Sequence, residues 1–193
     1  MVENVIPKLR IANYRVVDAS GEIRVDTNEI LDFFERVSEE ETVVYVIDLN
    51  GFTEGTPHLD ILSEISDLIP IWVEANSKSV EDVSDLLMAG VEKVVLEIGK
   101  VTPHALQRIG EETTSVALLL YEQGLEAVEK MYTFLRKTGC EIILRNCKDK
   151  NFGRALQGIP VILDVACADE DMPQVTEKLN IVGKIVEADL NDI

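Results

Sequence analysis

Short runs of almost uninterrupted apolar residues recur along this chain, and between them apolar positions return at helical spacing. The runs are Val5–Ile11, Val43–Asp48, Ile71–Ala75, Lys93–Ile98, Val116–Tyr121, Glu141–Asn146, Val161–Val165 and Lys184–Ala188. Strands that are apolar on both faces belong to parallel sheets covered on both sides. Ile30, Leu31, Phe33, Phe34 and Val37 form one helical stripe, and Leu59, Leu62, Ile65 and Ile69 form another. Further helices are predicted over Val80–Met88, Pro103–Ile109, Leu125–Arg136, Phe152–Leu156 and Met172–Leu179. Eight strand runs thus alternate with seven helical stretches. The pattern predicts an α/β fold, a compact (β/α)8 TIM barrel forming a single domain over residues 1–193, with its active face at the carboxyl ends of the strands.

Local signals support these boundaries. Thr27, Ser79 and Thr102 stand where helix caps are expected, the last followed by Pro103 at the first helical position. Gly90 and Gly139 stand where helices stop. Tyr14–Val17 and Glu22–Val25 read as a small hairpin across Ser20-Gly21, over the barrel mouth. After the eighth run only Leu190–Ile193 remain, so the final helix is expected to be shortened or absent. That leaves an apolar seam beside the first and last strands for a second copy to cover, and a homo-oligomer, specifically a dimer, is expected.

Composition narrows the function classes. Hydrophobic residues make up 46% of the chain and charged ones 28%, as in an ordinary globular domain. The formal charge of −18 is spread along the sequence and opposes nucleic acid and anionic membranes as partners. No apolar stretch approaches the roughly 20 residues of a membrane helix. Met1-Val2-Glu3-Asn4 does not resemble a signal peptide, so a cytoplasmic location is expected. Cys140, Cys147 and Cys167 form no CxxC pair, which fits free thiols in a reducing compartment. Cys147 and Cys167 follow neighbouring strands and allow a thiolate or metal pair; the plainer reading is small buried side chains.

The two halves of the chain look duplicated. Ile69-Pro70-Ile71-Trp72-Val73-Glu74 and Ile159-Pro160-Val161-Ile162-Leu163-Asp164 enter the third and seventh strands alike, with Asp82 and Asp171 following one helix start later. With these residues stand Val5-Ile6-Pro7, Val46-Ile47-Asp48-Leu49-Asn50-Gly51, Ser79-Val80-Glu81-Asp82 and Gly90-Val91-Glu92-Lys93-Val94-Val95. In this order and spacing they resemble the histidine-biosynthesis (HisA/HisF-like) barrel family. The resemblance implies a half-barrel duplication and a site for a substrate with two phosphates.

Its functional residues do not carry over. Where the family has a catalytic aspartate on the first strand, this chain has Arg10, and at the end of the fifth strand it has Leu120 ahead of Tyr121-Glu122. Neither guanidinium nor alkyl group shuttles a proton near neutral pH. The family's phosphate-binding glycines are replaced by Glu74-Ala75-Asn76, Glu97, Val165-Ala166 and Glu187. Side chains there obstruct the approach of a phosphate to the backbone, and the carboxylates repel it. The expected protein is therefore a diverged family member without ribotide isomerase or cyclase activity, acting as a pseudoenzyme, a binding protein or a scaffold. The alternative is a diverged isomerase or lyase for a phosphorylated or cationic metabolite.

The candidate site is the set of polar strand ends: Arg10, Asp48, Glu74, Asn76, Glu97, Arg145, Asp164 and Glu187, with Asp48, Glu122 and Asp164 as candidate catalytic acids. Convergent carboxylates suit a divalent cation or a cationic small molecule. The competing reading is an ion-paired plug, in which Arg10 and Arg145 neutralise the acids. No cofactor and no resident metal are expected. His58 and His104 lack partners at ligand spacing and read as solvated surface residues near helix starts. Lys148-Asp149-Lys150-Asn151-Phe152-Gly153-Arg154 is a basic loop after the sixth strand, able to meet a phosphate but more simply solvated. Schiff-base chemistry, which needs a desolvated lysine facing the barrel interior, finds no support at any strand centre other than that of Lys8, and Trp72 reads as core.

Overall fold

The computed structural model describes residues 4–121, 131, 134–146, 156–165 and 179–190. Its elements are β1 (Val5–Ala12), β2 (Arg15–Val17), β3 (Ile23–Val25), α1 (Ile30–Glu40), β4 (Val44–Asp48), α2 (Leu49–Thr53), α3 (Leu59–Ser66), β5 (Ile71–Glu74), α4 (Val80–Met88), β6 (Lys93–Glu97), α5 (Pro103–Glu112), β7 (Val116–Tyr121), β8 (Ile142–Arg145), β9 (Pro160–Val165) and β10 (Asn180–Glu187). The hydrogen-bonded order runs β10-β9-β8-β7-β6-β5-β4-β1-β2-β3, and β10 also pairs with β1. That last pairing closes eight parallel strands into the (β/α)8 barrel topology expected from the apolar runs.

By packing, the chain divides into two compact units. One comprises Ile6–Ser77, Glu81–Val95 and Glu187–Ile193; the other comprises Met1–Val5, Lys78–Val80 and Leu96–Val186. In the first unit, strand register sorts the side chains onto two faces. Lys8, Arg10, Tyr45, Ile47, Trp72 and Glu74 share one face, and Leu9, Ile11, Val46, Asp48 and Val73 share the other. The fully buried side chains of this unit include Phe33 and Phe34 of α1, in edge-to-face contact, and Leu62 and Ile65 of α3. Trp72 is buried on β5, with the Lys93 ammonium 4.4 Å from its ring centre.

The second unit buries Leu118–Leu120, Ile142, Ile143 and Val161 on its strands and Leu106 and Ile109 on α5. Pro103 opens α5, and the Thr102 hydroxyl accepts the Ala105 N–H at 3.2 Å, as its sequence position predicts. The helix runs to Glu112, one turn past the apolar stripe that ends at Ile109.

Other boundaries differ from the sequence expectation for identifiable reasons. Thr27 does not cap α1: Glu29 precedes the first helical residue and makes no side-chain cap bond. The nearby Asp26 carboxylate accepts instead from the Thr27 N–H and from Arg15. Strand β10 begins at Asn180 rather than Lys184, because its pairing with β9 starts at Asn180↔Pro160 and passes through a bulge before Gly183. Gly183 carries no side chain for a steric reason, since a Cβ there would lie 2.9 Å from the Asn4 carbonyl oxygen.

The expected hairpin forms, with β2 antiparallel to β1 and β3 antiparallel to β2. Asp18 closes its turn by accepting from Ser20, the Glu22 N–H and Arg24. Gly90 and Gly139 both adopt positive φ, 88° and 67°, where left-handed helix stops favour glycine. No helix among the described residues is long and apolar enough to cross a membrane.

Candidate functional site

The strand ends of the first unit hold polar groups on both faces of the sheet, and the register explains the division. Arg10 and Asp48 come from neighbouring strands, but Arg10 pairs with Ile47 while Asp48 pairs with Ile11, so the two project to opposite faces.

On the Arg10 face, the guanidinium donates two parallel hydrogen bonds to Glu187, at 2.6 and 2.7 Å. Lys8, whose side chain is 2% exposed, places its ammonium 3.0 Å from the same carboxylate. Partial burial raises the Glu187 pKa, but the hydrogen bonds from Arg10 and Lys8 outweigh it and hold the carboxyl below the usual glutamate range. Glu187 therefore stays ionised between two cations. Glu74 is buried on the same face of β5 and accepts a 2.6 Å hydrogen bond from the hydroxyl of buried Tyr45. Asn76 follows on a left-handed backbone, φ 58°, half-buried.

The opposite face belongs to Asp48, whose side chain is wholly buried at the end of β4. Its carboxylate accepts the Asn50 N–H at 3.0 Å, capping the five-residue helix α2, and the His58 N–H at 2.7 Å, just ahead of α3. This short helix was not legible in the hydrophobic pattern. Its packing requires Gly51, where a Cβ would meet the Ala75 carbonyl oxygen at 2.5 Å. Asp48 thus organises two backbone segments at once.

The same interaction brings His58 into the site. Sequence position suggested a solvated histidine, but the side chain is 14% exposed and its Nδ1 lies 3.6 Å from Asp48 Oδ1. Tyr14 packs edge-on against the ring at 4.5 Å and donates its hydroxyl to Asp60 at 2.8 Å. That hydrogen bond is the largest influence lowering the Asp60 pKa and raising that of Tyr14. Asn13 and Tyr14 both adopt positive φ, 48° and 61°. Asn50 clamps this turn: its Oδ1 accepts the Asn13 N–H and its Nδ2 donates to Asn13 and Glu54, each at 3.0 Å.

In the second unit, Arg145 Nε donates to Asp164 at 2.5 Å, and Arg145 pairs directly with Asp164 in the β8–β9 ladder. Asp164 is buried, so this pair is desolvated as well as close. Glu97 at the end of β6 meets Lys100 at 2.7 Å. His104 is exposed in the first turn of α5, as expected. Cys140 is buried, beside the Thr138 hydroxyl. Glu122, Cys147, Cys167 and the basic loop Lys148–Arg154 lie outside the described residues. Among the described residues no group of three or more histidine, cysteine or acidic side chains could hold a metal ion.

No protein-family model matches the chain. It is similar to imidazole glycerol phosphate synthase subunit HisF of Dictyoglomus thermophilum, 27% identical over 127 residues, covering 62% of this chain and 50% of that protein. The corresponding subunit of Dictyoglomus turgidum is likewise 27% identical over 128 residues, with the same coverage. The chain thus spans about half the length of the curated relatives it matches. Among solved structures, a glycerol uptake operon antiterminator-related protein of Thermotoga maritima aligns with a TM-score of 0.57 over 99% of this chain and 98% of its own. At 13% identity that likeness concerns the fold alone. The chain is a (β/α)8 barrel protein with a distant similarity to HisF.

Proposed function

We propose that this barrel has given up ribotide isomerisation and cyclisation and serves as a pseudoenzyme or binding protein with respect to that chemistry. One observation carries the reading: Arg10, at the first-strand position where the resembling family has a catalytic aspartate, is a cation locked bidentately to Glu187. Glu187 itself stands where the family has a phosphate-binding glycine. A permanent cation paired to a carboxylate neither removes a proton from a ribotide nor leaves the backbone open to a phosphate. Arg145 and Asp164 form a further arginine–carboxylate pair in the other unit. The test is complementation of strains lacking the ribotide isomerase or the cyclase subunit, with purified chain assayed on the same substrates. No growth and no turnover are expected; growth in either strain overturns the reading.

A second reading, a diverged isomerase or lyase acting on a different metabolite, is favoured by the Asp48–His58 pair. Asp48 projects to the face opposite Arg10, and among the described residues the pair is not consumed by an ion pair with arginine or lysine. The two readings are compatible, because loss of one reaction leaves another site free to act.

We also propose a homodimer. Val5 on β1 and Val182 on β10 are 45% and 42% exposed, apolar surface on the first and last strands that a second copy would cover.

A further inference from the structure

We propose that His58 and Asp48 form a proton-transfer dyad, with His58 Nε2 as the base, acting on a small neutral or cationic metabolite. The inference rests on the diverged-isomerase reading above and supplies its reacting group.

The geometry decides the tautomer. Nδ1 of His58 is buried, has no hydrogen-bond partner and lies 3.6 Å from a carboxylate oxygen. A lone pair on Nδ1 would face the negative charge of Asp48 across that gap, whereas an N–H there is attracted to it. The proton therefore resides on Nδ1. Nε2 keeps its lone pair, and it is not among the buried polar atoms left without a partner. The side chain as a whole keeps 14% of its surface exposed to solvent. Asp48 is itself fixed, since its two oxygens already accept the backbone N–H groups of Asn50 and His58. A carboxylate held this rigidly beside an imidazole balances the imidazolium that forms when the base takes a proton.

The surroundings set the substrate class. Among the described residues, the charged and titratable groups facing the ring are Asp48 from β4, Asp60 from α3 and Tyr14 from the turn after β1. Both acids repel phosphates and tolerate a neutral or positively charged molecule. Tyr14 holds the ring edge-on, and Asn50 holds the turn that carries Tyr14.

The step balances without an added reactant. Nε2 takes a proton from an activated C–H, the electron pair of that bond stays on the substrate, and the imidazolium returns the proton to a different substrate atom. The net change is an isomerisation by proton movement.

His58 and His104 are the two histidines of the chain, so each resonance is assignable. The experiment is long-range ¹H–¹⁵N NMR of the full, unmodified chain labelled at histidine. The Nδ1–H tautomer is expected for neutral His58 and the Nε2–H tautomer for exposed His104. A His58 that is Nε2–H overturns the dyad and leaves the isomerase reading standing. The second arm incubates the chain with neutral aldoses, ketoses and amino sugars in D₂O and reads deuterium incorporation by NMR. Incorporation that falls at least about 100-fold in His58→Gln supports the proposal. Incorporation that persists in His58→Gln overturns the dyad alone, and no incorporation with any of these probes overturns the isomerase reading and the proposal together.

Discussion

Arg10 grips Glu187 through both terminal nitrogens of its guanidinium, joining the first strand of the barrel to the last. Lys8, one turn of the pleat earlier on the same face, adds a second cation to the same carboxylate. The substitution Glu187→Gln keeps the shape and removes the charge. It leaves Lys8 buried beside a neutral amide and is expected to cost about 1–3 kcal/mol, less than for a fully buried pair because Glu187 is partly exposed. Urea unfolding at neutral pH measures it.

The pH dependence follows from the direction of the Glu187 shift. Its folded pKa is depressed, so its stabilising contribution is complete above the ordinary glutamate value, about 4.3, and is lost as pH falls through the lower folded value. The stability gap between wild type and Glu187→Gln should therefore be full at pH 7 and shrink steadily below about pH 4. A gap unchanged at pH 2.5 would show that the charge plays no part.

Asp48 is expected to be structurally demanding in a way that His58 is not. Asp48→Ala removes the acceptor for two backbone N–H groups, one of them the cap of α2, and should cost about 2–4 kcal/mol. His58→Gln retains the backbone N–H that Asp48 accepts and should lie within about 1 kcal/mol of wild type. Thermal melts of the two variants side by side would separate the cap from the ring.

Gly51→Ala tests the close approach of α2 to the segment after β5. A methyl group there would sit 2.5 Å from the Ala75 carbonyl oxygen, backbone that cannot swing aside. A loss of about 1–3 kcal/mol is expected, against a small gain for alanine in an unhindered helix. A stability equal to wild type would refute the packing described for α2.

Light scattering addresses the proposed dimer. At micromolar concentration the chain should run as twice its monomer mass, and Val5→Lys with Val182→Lys should return it to monomer. A clean wild-type monomer would remove the proposal.

The strand order and most element boundaries were readable because burial on both faces leaves a parallel strand almost wholly apolar, as in Val44–Asp48 and Val116–Tyr121. Cap chemistry was readable where side chain and helix start adjoin, as at Thr102 and Pro103, but failed at Thr27, where Asp26 competes for the turn. Helix α2 has too few residues to show a period, and its existence depends on Asp48 as a cap. The grouping of charged strand ends was the least legible part. A shift of one residue in register exchanges the faces of a strand, and that alone separates Arg10 from Asp48. His58 gave no signal of its own, being placed by a bond from its backbone N–H to a residue at the end of a strand.

By itself the sequence determined the alternation of strand and helix, hence the barrel, because apolar periodicity is a local property that follows from which positions must leave water. It also determined that acids and bases crowd the strand ends. Only the tertiary structure decided which of them meet: Arg10 and Lys8 with Glu187, Tyr45 with Glu74, and Asp48 with His58. Those pairings depend on strand register and on hydrogen bonds between distant backbone segments, and neither is encoded in the spacing of residues along the chain.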